Sequence, residues 1–142
     1  MFVKQLTVFI ENRVGTLEEA VDVLSANNIN IFSISLADTS EYGLLRMIVG
    51  EPDKAKDILK SAGFSAKLTD VIAVRLENKV GTLSELFKVI SASDVSIEYM
   101  YAMATSKTGA MILKTSDADK AMKVLEDSAF TVLDQDSMYK LD

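Results

Sequence analysis

The chain has 142 residues, 49% hydrophobic and 25% charged, the proportions of a soluble globular protein with enough apolar material for a core. It contains neither cysteine nor histidine, which removes thiol nucleophiles, imidazole bases and most zinc, haem and iron–sulfur sites, so no metal and no cofactor is expected. A net charge of −6 with only three arginines, Arg13, Arg46 and Arg75, argues against nucleic acid, while the lack of a long apolar run or signal-peptide pattern argues against a membrane and points to the cytoplasm.

Val3 to Ile10 is rich in β-branched and aromatic residues and predicts a first strand, which stops at the polar stretch Glu11-Asn12-Arg13-Val14-Gly15-Thr16-Leu17. Thr16 followed by Glu19 has the form of a capping box, and Leu17, Ala20, Val21 and Leu24 then recur on one face of a helix. Asn27-Asn28 ends that helix, and Ile29 to Ala37 predicts a second strand. Ser40-Glu41-Tyr42-Gly43 reads as a hairpin turn into a third strand, Leu44 to Val49. Pro52 suits the first turn of a second helix with Ala55, Ile58, Leu59 and Ala62 on one face, and a short strand follows from Phe64.

The same order then returns. Glu77-Asn78-Lys79-Val80-Gly81-Thr82-Leu83 repeats the loop 66 residues on, and Val8–Asp70 against Val74–Asp136 is identical at about a third of positions at that offset. Val95 to Ala104 and Ala110 to Thr115 supply the second and third strands, Ser106-Lys107-Thr108-Gly109 the turn between them, and Ala121, Val124 and Leu125 the second helix. Two βαββαβ units in tandem give an α+β, ferredoxin-like fold with antiparallel sheets and the helices on one face, residues 1–70 and 71–142. No linker separates them, since Lys67-Leu68-Thr69-Asp70 runs directly into the second copy, which predicts rigidly docked units. Ser137 to Leu141 aligns with Val71 to Arg75 and reads as the start of a further strand.

The repeated loop carries the chemistry. A helix start leaves backbone N–H groups unpaired at the positive end of the macrodipole, so the loop around Gly15 and Gly81 suits a carboxylate or phosphate. Asn12 and Asn78 add a side-chain acceptor and donor, which together match the two charges of a free amino acid. Glycine for a sharp turn and threonine for a cap explain the same residues structurally, but the seven-residue stretch differs between copies only at Arg13/Lys79 while the rest has drifted. Ser33, Ser35 and Ala37 correspond to Tyr99, Tyr101 and Met103 on one side of the second strand, a stripe read as core or contact surface before ligand wall.

This loop, followed by Asn30-Ile31 or Ser96-Ile97 at the start of the second strand, resembles the ACT domain, a small regulatory module of amino-acid metabolism. The resemblance covers both halves, although the family often has proline at the positions of Val14 and Val80, and Ser96 departs from asparagine. It implies allosteric binding of an L-amino acid at an interface between ACT units. The residues it implicates are Asn12, Arg13, Val14, Gly15, Thr16 and Leu17, with Asn30 and Ile31 at the ligand amino group. In the second copy they are Asn78, Lys79, Val80, Gly81, Thr82 and Leu83, with Ser96 and Ile97.

The leading function is a non-catalytic, amino-acid-binding regulatory protein, a homo-oligomer, most simply a dimer, that signals to an enzyme of amino-acid metabolism. An interaction subunit of such an enzyme without its own ligand is the alternative. A ferredoxin-like hydrolase of the acylphosphatase kind is weaker, because each loop offers a single cation preceded by glutamate.

Overall fold

Strand alternation sets the first core: β1 (Val3–Glu11) turns Leu6, Val8 and Ile10 to one side, where all three are buried. The computed structural model describes residues 1–38, 41–77, 79–104 and 108–141. After β1 come α1 (Thr16–Ala26), β2 (Ile31–Asp38), β3 (Tyr42–Val49) and α2 (Pro52–Ser61), with Pro52 in the first turn, where its missing N–H costs nothing. β4 (Ser65–Leu76) leads into α3 (Thr82–Ser91), β5 (Ile97–Ala104), β6 (Gly109–Thr115), α4 (Ala118–Glu126), β7 (Val132–Leu133) and α5 (Gln135–Tyr139).

The chain forms two compact units, Lys4–Thr69 and a second made of Met1–Val3 with the residues from Asp70 onward. In the first the strand order is β2-β3-β1-β4, and β1 and β2 both pair antiparallel with β3. Ala20 and Leu24 of α1 and Ala55 and Leu59 of α2 close over Leu45 and Met47 on the same side of the sheet, the side that amphipathic spacing selects. In the second unit the order is β5-β6-β4, with β7 paired to β4 at Ala73 and Val74. Leu86 and Ile90 of α3 and Ala121 and Leu125 of α4 cover Ile72, Val74 and Leu113, and Phe2 packs against this second core.

β4 is one twelve-residue strand that serves as fourth strand of the first unit and first strand of the second, the direct run that the sequence predicts. Asn28 and Asp94, equivalent positions after α1 and α3, both hold a left-handed backbone, φ 60° and 61°, which short polar side chains tolerate best.

Two expectations are corrected. Tyr42, Gly43 and Gly109, read from sequence as turn residues, belong to strands; Thr39, Ser40 and residues 105–107 lie outside the described residues. The C-terminal segment is the helix α5 and not a further strand. The Asp134 carboxylate accepts from the Ser137 N–H at 2.8 Å, capping a turn that buries Met138, and this holds the Asp134 carboxyl below its ordinary value. Among the described residues no helix is long and apolar enough to cross a membrane.

Candidate functional site

The two loops have the same geometry. The Arg13 N–H donates to Glu11 O at 2.9 Å and the Lys79 N–H to Glu77 O at 3.0 Å, folding each loop back on its strand end. Gly15 (φ 89°) and Gly81 (φ 94°) then stand at the N-cap in the left-handed region, and a Cβ on either would meet nothing within 4 Å. The glycines are therefore required by backbone angle and not by a close approach.

The predicted capping box does not form. With glycine as N-cap, Thr16 and Thr82 are the first helical residues, and their hydroxyls donate backward to Arg13 O at 3.0 Å and to Lys79 O at 3.1 Å. No side chain caps either helix; the Thr16 and Thr82 N–H groups donate to Arg13 O and Lys79 O at 3.4 Å, and the two N–H groups that follow in each first turn face the positive end of the helix without a side-chain cap. Glu19 pairs instead with Arg13 Nη2 at 3.6 Å, and Arg13 Nε holds Glu11 at 3.1 Å. Lys79 Nζ holds Glu77 at 3.2 Å. These pairs are exposed and add little stability; they fix where the charges stand.

Of the residues implicated by sequence, Lys79, Gly81, Thr82 and Leu83 come together on a cavity of about 450 Å³ in the second unit. Its far wall is the end of β5 and the start of β6, including Ala102, Met103, Gly109 and Ala110, with Leu76 and Ser84 completing it. Val14 and Val80 are fully exposed at the loop tips, Asn12 is exposed, and Asn78 lies outside the described residues. Asn30 and Ile31 precede and open β2, and Ser96 and Ile97 do the same for β5, with the Ser96 N–H donating to Ser116 Oγ at 3.0 Å. They stand at the opposite strand end from the loop, roughly 25 Å away at about 3.3 Å per residue, so no single unit joins both groups. Sequence reasoning missed Ala102, Gly109 and Ala110; for the two alanines the signal is small size where the first copy has Leu36 and Leu44, and it becomes readable only once the strand register is known.

A second crevice recurs in both units on the other side of the loop. In the first it has about 320 Å³ and includes Glu11, Arg13, Thr16 and Phe64; in the second, about 200 Å³ with Glu77, Lys79, Thr82 and Phe130. Its cations and carboxylates include the ion pairs already described. Among the described residues no group of three or more acidic side chains is placed to hold a metal ion.

The profile of the ACT domain pair family matches residues 1–141. The chain belongs to the ACT domain pair family. No curated protein matches this ACT pair in sequence. A crystal structure of a protein from Bacteroides thetaiotaomicron is similar at 37% identity and a TM-score of 0.93, covering 99% of this chain and 98% of that one. The ligand-free regulatory subunit of aspartate kinase from Thermus thermophilus shares the fold at 16% identity and TM-score 0.64, covering 87% and 90% of the two chains. The regulatory subunit of aspartate kinase from Thermus flavus does so at 15% identity and TM-score 0.60, covering 85% and 88%. Two ferredoxin-like ACT units in tandem are thus what the duplicated sequence encodes.

Proposed function

We propose that this ACT pair is a regulatory protein without catalysis of its own that binds a free L-amino acid against the loop preceding the first helix of a unit. The observation that carries the reading is the cavity in which Lys79, Gly81, Thr82 and Leu83 converge. At about 450 Å³ it falls in the lower part of the range of small-molecule sites, roughly 300–1,000 Å³. The uncapped start of α3 and the Lys79 ammonium would take the ligand carboxylate, and Glu77, 3.2 Å from Lys79, would take its amino group. A sequence without histidine or cysteine supplies no obvious acid–base or nucleophilic partner there.

The fold it shares with regulatory subunits of aspartate kinase supports an enzyme of amino-acid metabolism as the partner, in the cytoplasm. The sheet-edge strands β2 and β5 expose Ile34, Leu36 and Met100, which supports a homodimer through those edges.

A thermal-shift screen over the twenty L-amino acids tests the function. At about a hundred times the dissociation constant a ligand should add roughly 2.7 kcal/mol of stability, and Asn78→Ala should weaken its binding by about 1–3 kcal/mol while the helix start stays intact. A flat screen at millimolar concentrations would overturn the proposal.

A further inference from the structure

The two copies of the loop are nearly identical, but the walls facing them are not. In the first unit Ile34 and Leu36 of β2 stand opposite Met47 and Leu45, on the side of the sheet that carries the helices. There Leu36 leans over Gly43: a Cβ on that glycine would meet Leu36 Cδ1 at 3.2 Å and Ile10 Cγ1 at 3.3 Å. The equivalent glycine in the second unit, Gly109, would among the described residues meet the Met103 carbonyl alone, at 3.3 Å. The residue that corresponds to Leu36 is Ala102, and the space its side chain would occupy is part of the 450 Å³ cavity.

The replacement is not isolated. Tyr42, whose ring lies 5.6 Å from that of Phe9 in the first unit, corresponds to Thr108, and Leu44 corresponds to Ala110. Glu18, in the first turn of α1, corresponds to Ser84 in α3. All four smaller residues line the second unit's cavity. By register Tyr42 and Leu44 share the sheet face of Phe9, away from the helices, and Leu44/Ala110 is balanced across the ladder by Ala37/Met103, so Leu36/Ala102 and Glu18/Ser84 are the changes left on the helix side, and beside loops that hardly differ they mark a pocket opened in the second copy. Among the described lining residues Leu76, Leu83, Met103 and Ala110 give apolar walls, Thr82, Ser84 and Thr108 are uncharged, and the charges are those of Glu77 and Lys79.

We propose that the second unit alone holds the working effector site, that Ala102 is the residue that opens it, and that the site selects amino acids with an apolar side chain. The inference rests on the amino-acid reading given above. An apolar side chain displaces water from those walls without leaving a polar group unpaired, whereas a charged one would have to be desolvated there.

The test uses the whole chain and free L-leucine, L-isoleucine, L-valine, L-methionine and L-phenylalanine as probes, with L-aspartate and L-lysine as contrasts, by titration calorimetry. The wild type should bind one apolar amino acid per chain. Ala102→Leu, a residue the equivalent position of the first unit already accommodates, should weaken that binding tenfold or more while the melting temperature without ligand changes little. Ala102→Met should act the same way, and Leu36→Ala should leave affinity unchanged. Two ligands per chain in the wild type, binding that survives both Ala102→Leu and Ala102→Met, or equal affinity for aspartate or lysine would overturn this inference and leave amino-acid binding standing. No binding of any amino acid by the wild type would overturn both.

Discussion

Replacing Gly81 by alanine isolates the backbone angle of the loop from everything else. Gly81 holds φ 94°, which an L side chain adopts at a cost of about 1–2 kcal/mol. The added methyl meets nothing within 4 Å, so no steric term joins that cost. Alanine also narrows the unfolded ensemble, which offsets about 0.4–1 kcal/mol. The net loss is about 1 kcal/mol, or about 3–5 °C in melting temperature for a chain of this size. Gly63, at φ 95° with equally open surroundings, is a matched control in the first unit. Gly63→Ala should cost the same and leave ligand binding unchanged, while Gly81→Asn should cost less than Gly81→Ala because asparagine tolerates the left-handed region. Calorimetric melting of the three variants is the assay. A loss beyond 10 °C for Gly81→Ala, or none, would refute the reasoning, the first by revealing a contact the methyl cannot share and the second by showing that the left-handed turn is not required.

Two further outcomes follow from the C-terminal helix and the sheet edges. The Asp134 carboxyl is held below its ordinary value chiefly by the Ser137 backbone N–H, so its contribution to stability is full above the unfolded-state value near 3.8 and is lost as pH falls through the lower folded-state value. Asp134→Asn keeps a cap that does not titrate; the melting-temperature difference between wild type and variant should be constant above about pH 5 and shift against the wild type below about pH 4. If β2 and β5 meet other copies, light scattering should show a dimer that Ile34→Lys combined with Met100→Lys disperses; a monomeric wild type would refute the edge contact.

The fold was legible because a duplicated chain reports each element twice. Strand and helix order, the first-turn position of Pro52 and the uninterrupted passage through Thr69 and Asp70 all follow from local pattern. What failed depended on more than one residue at a time. Thr16-x-x-Glu19 satisfies the capping-box pattern, yet Gly15 in its left-handed conformation takes the N-cap and moves threonine one place into the helix. Alignment with Val71–Arg75 makes the tail a strand, but Asp134 and Gln135 stand just before it where the first unit has the strand residues Leu68 and Thr69, and an aspartate able to cap a turn outweighs an inherited register. The loop residues that border the cavity were legible in the repeated motif. Its facing wall was not, because the conspicuous differences Ser33/Tyr99 and Ser35/Tyr101 lie on the sheet face away from the helices, while Leu36/Ala102 lies on the other face, which only the register reveals.

Phe2 completes the second core, although the whole of Lys4–Thr69 intervenes before that unit resumes. The first unit is thus an excursion within the second, and closing a disordered excursion of that length would cost on the order of 4 kcal/mol in chain entropy. Once the first unit has folded, β1 already lies next to β4, and Phe2 is carried toward its place at a small fraction of that cost. An order of assembly is built into the topology: the inserted half can fold by itself, whereas the surrounding half gains its last core residue cheaply only afterwards, so damage to the first unit would slow the folding of the second without touching any of its contacts.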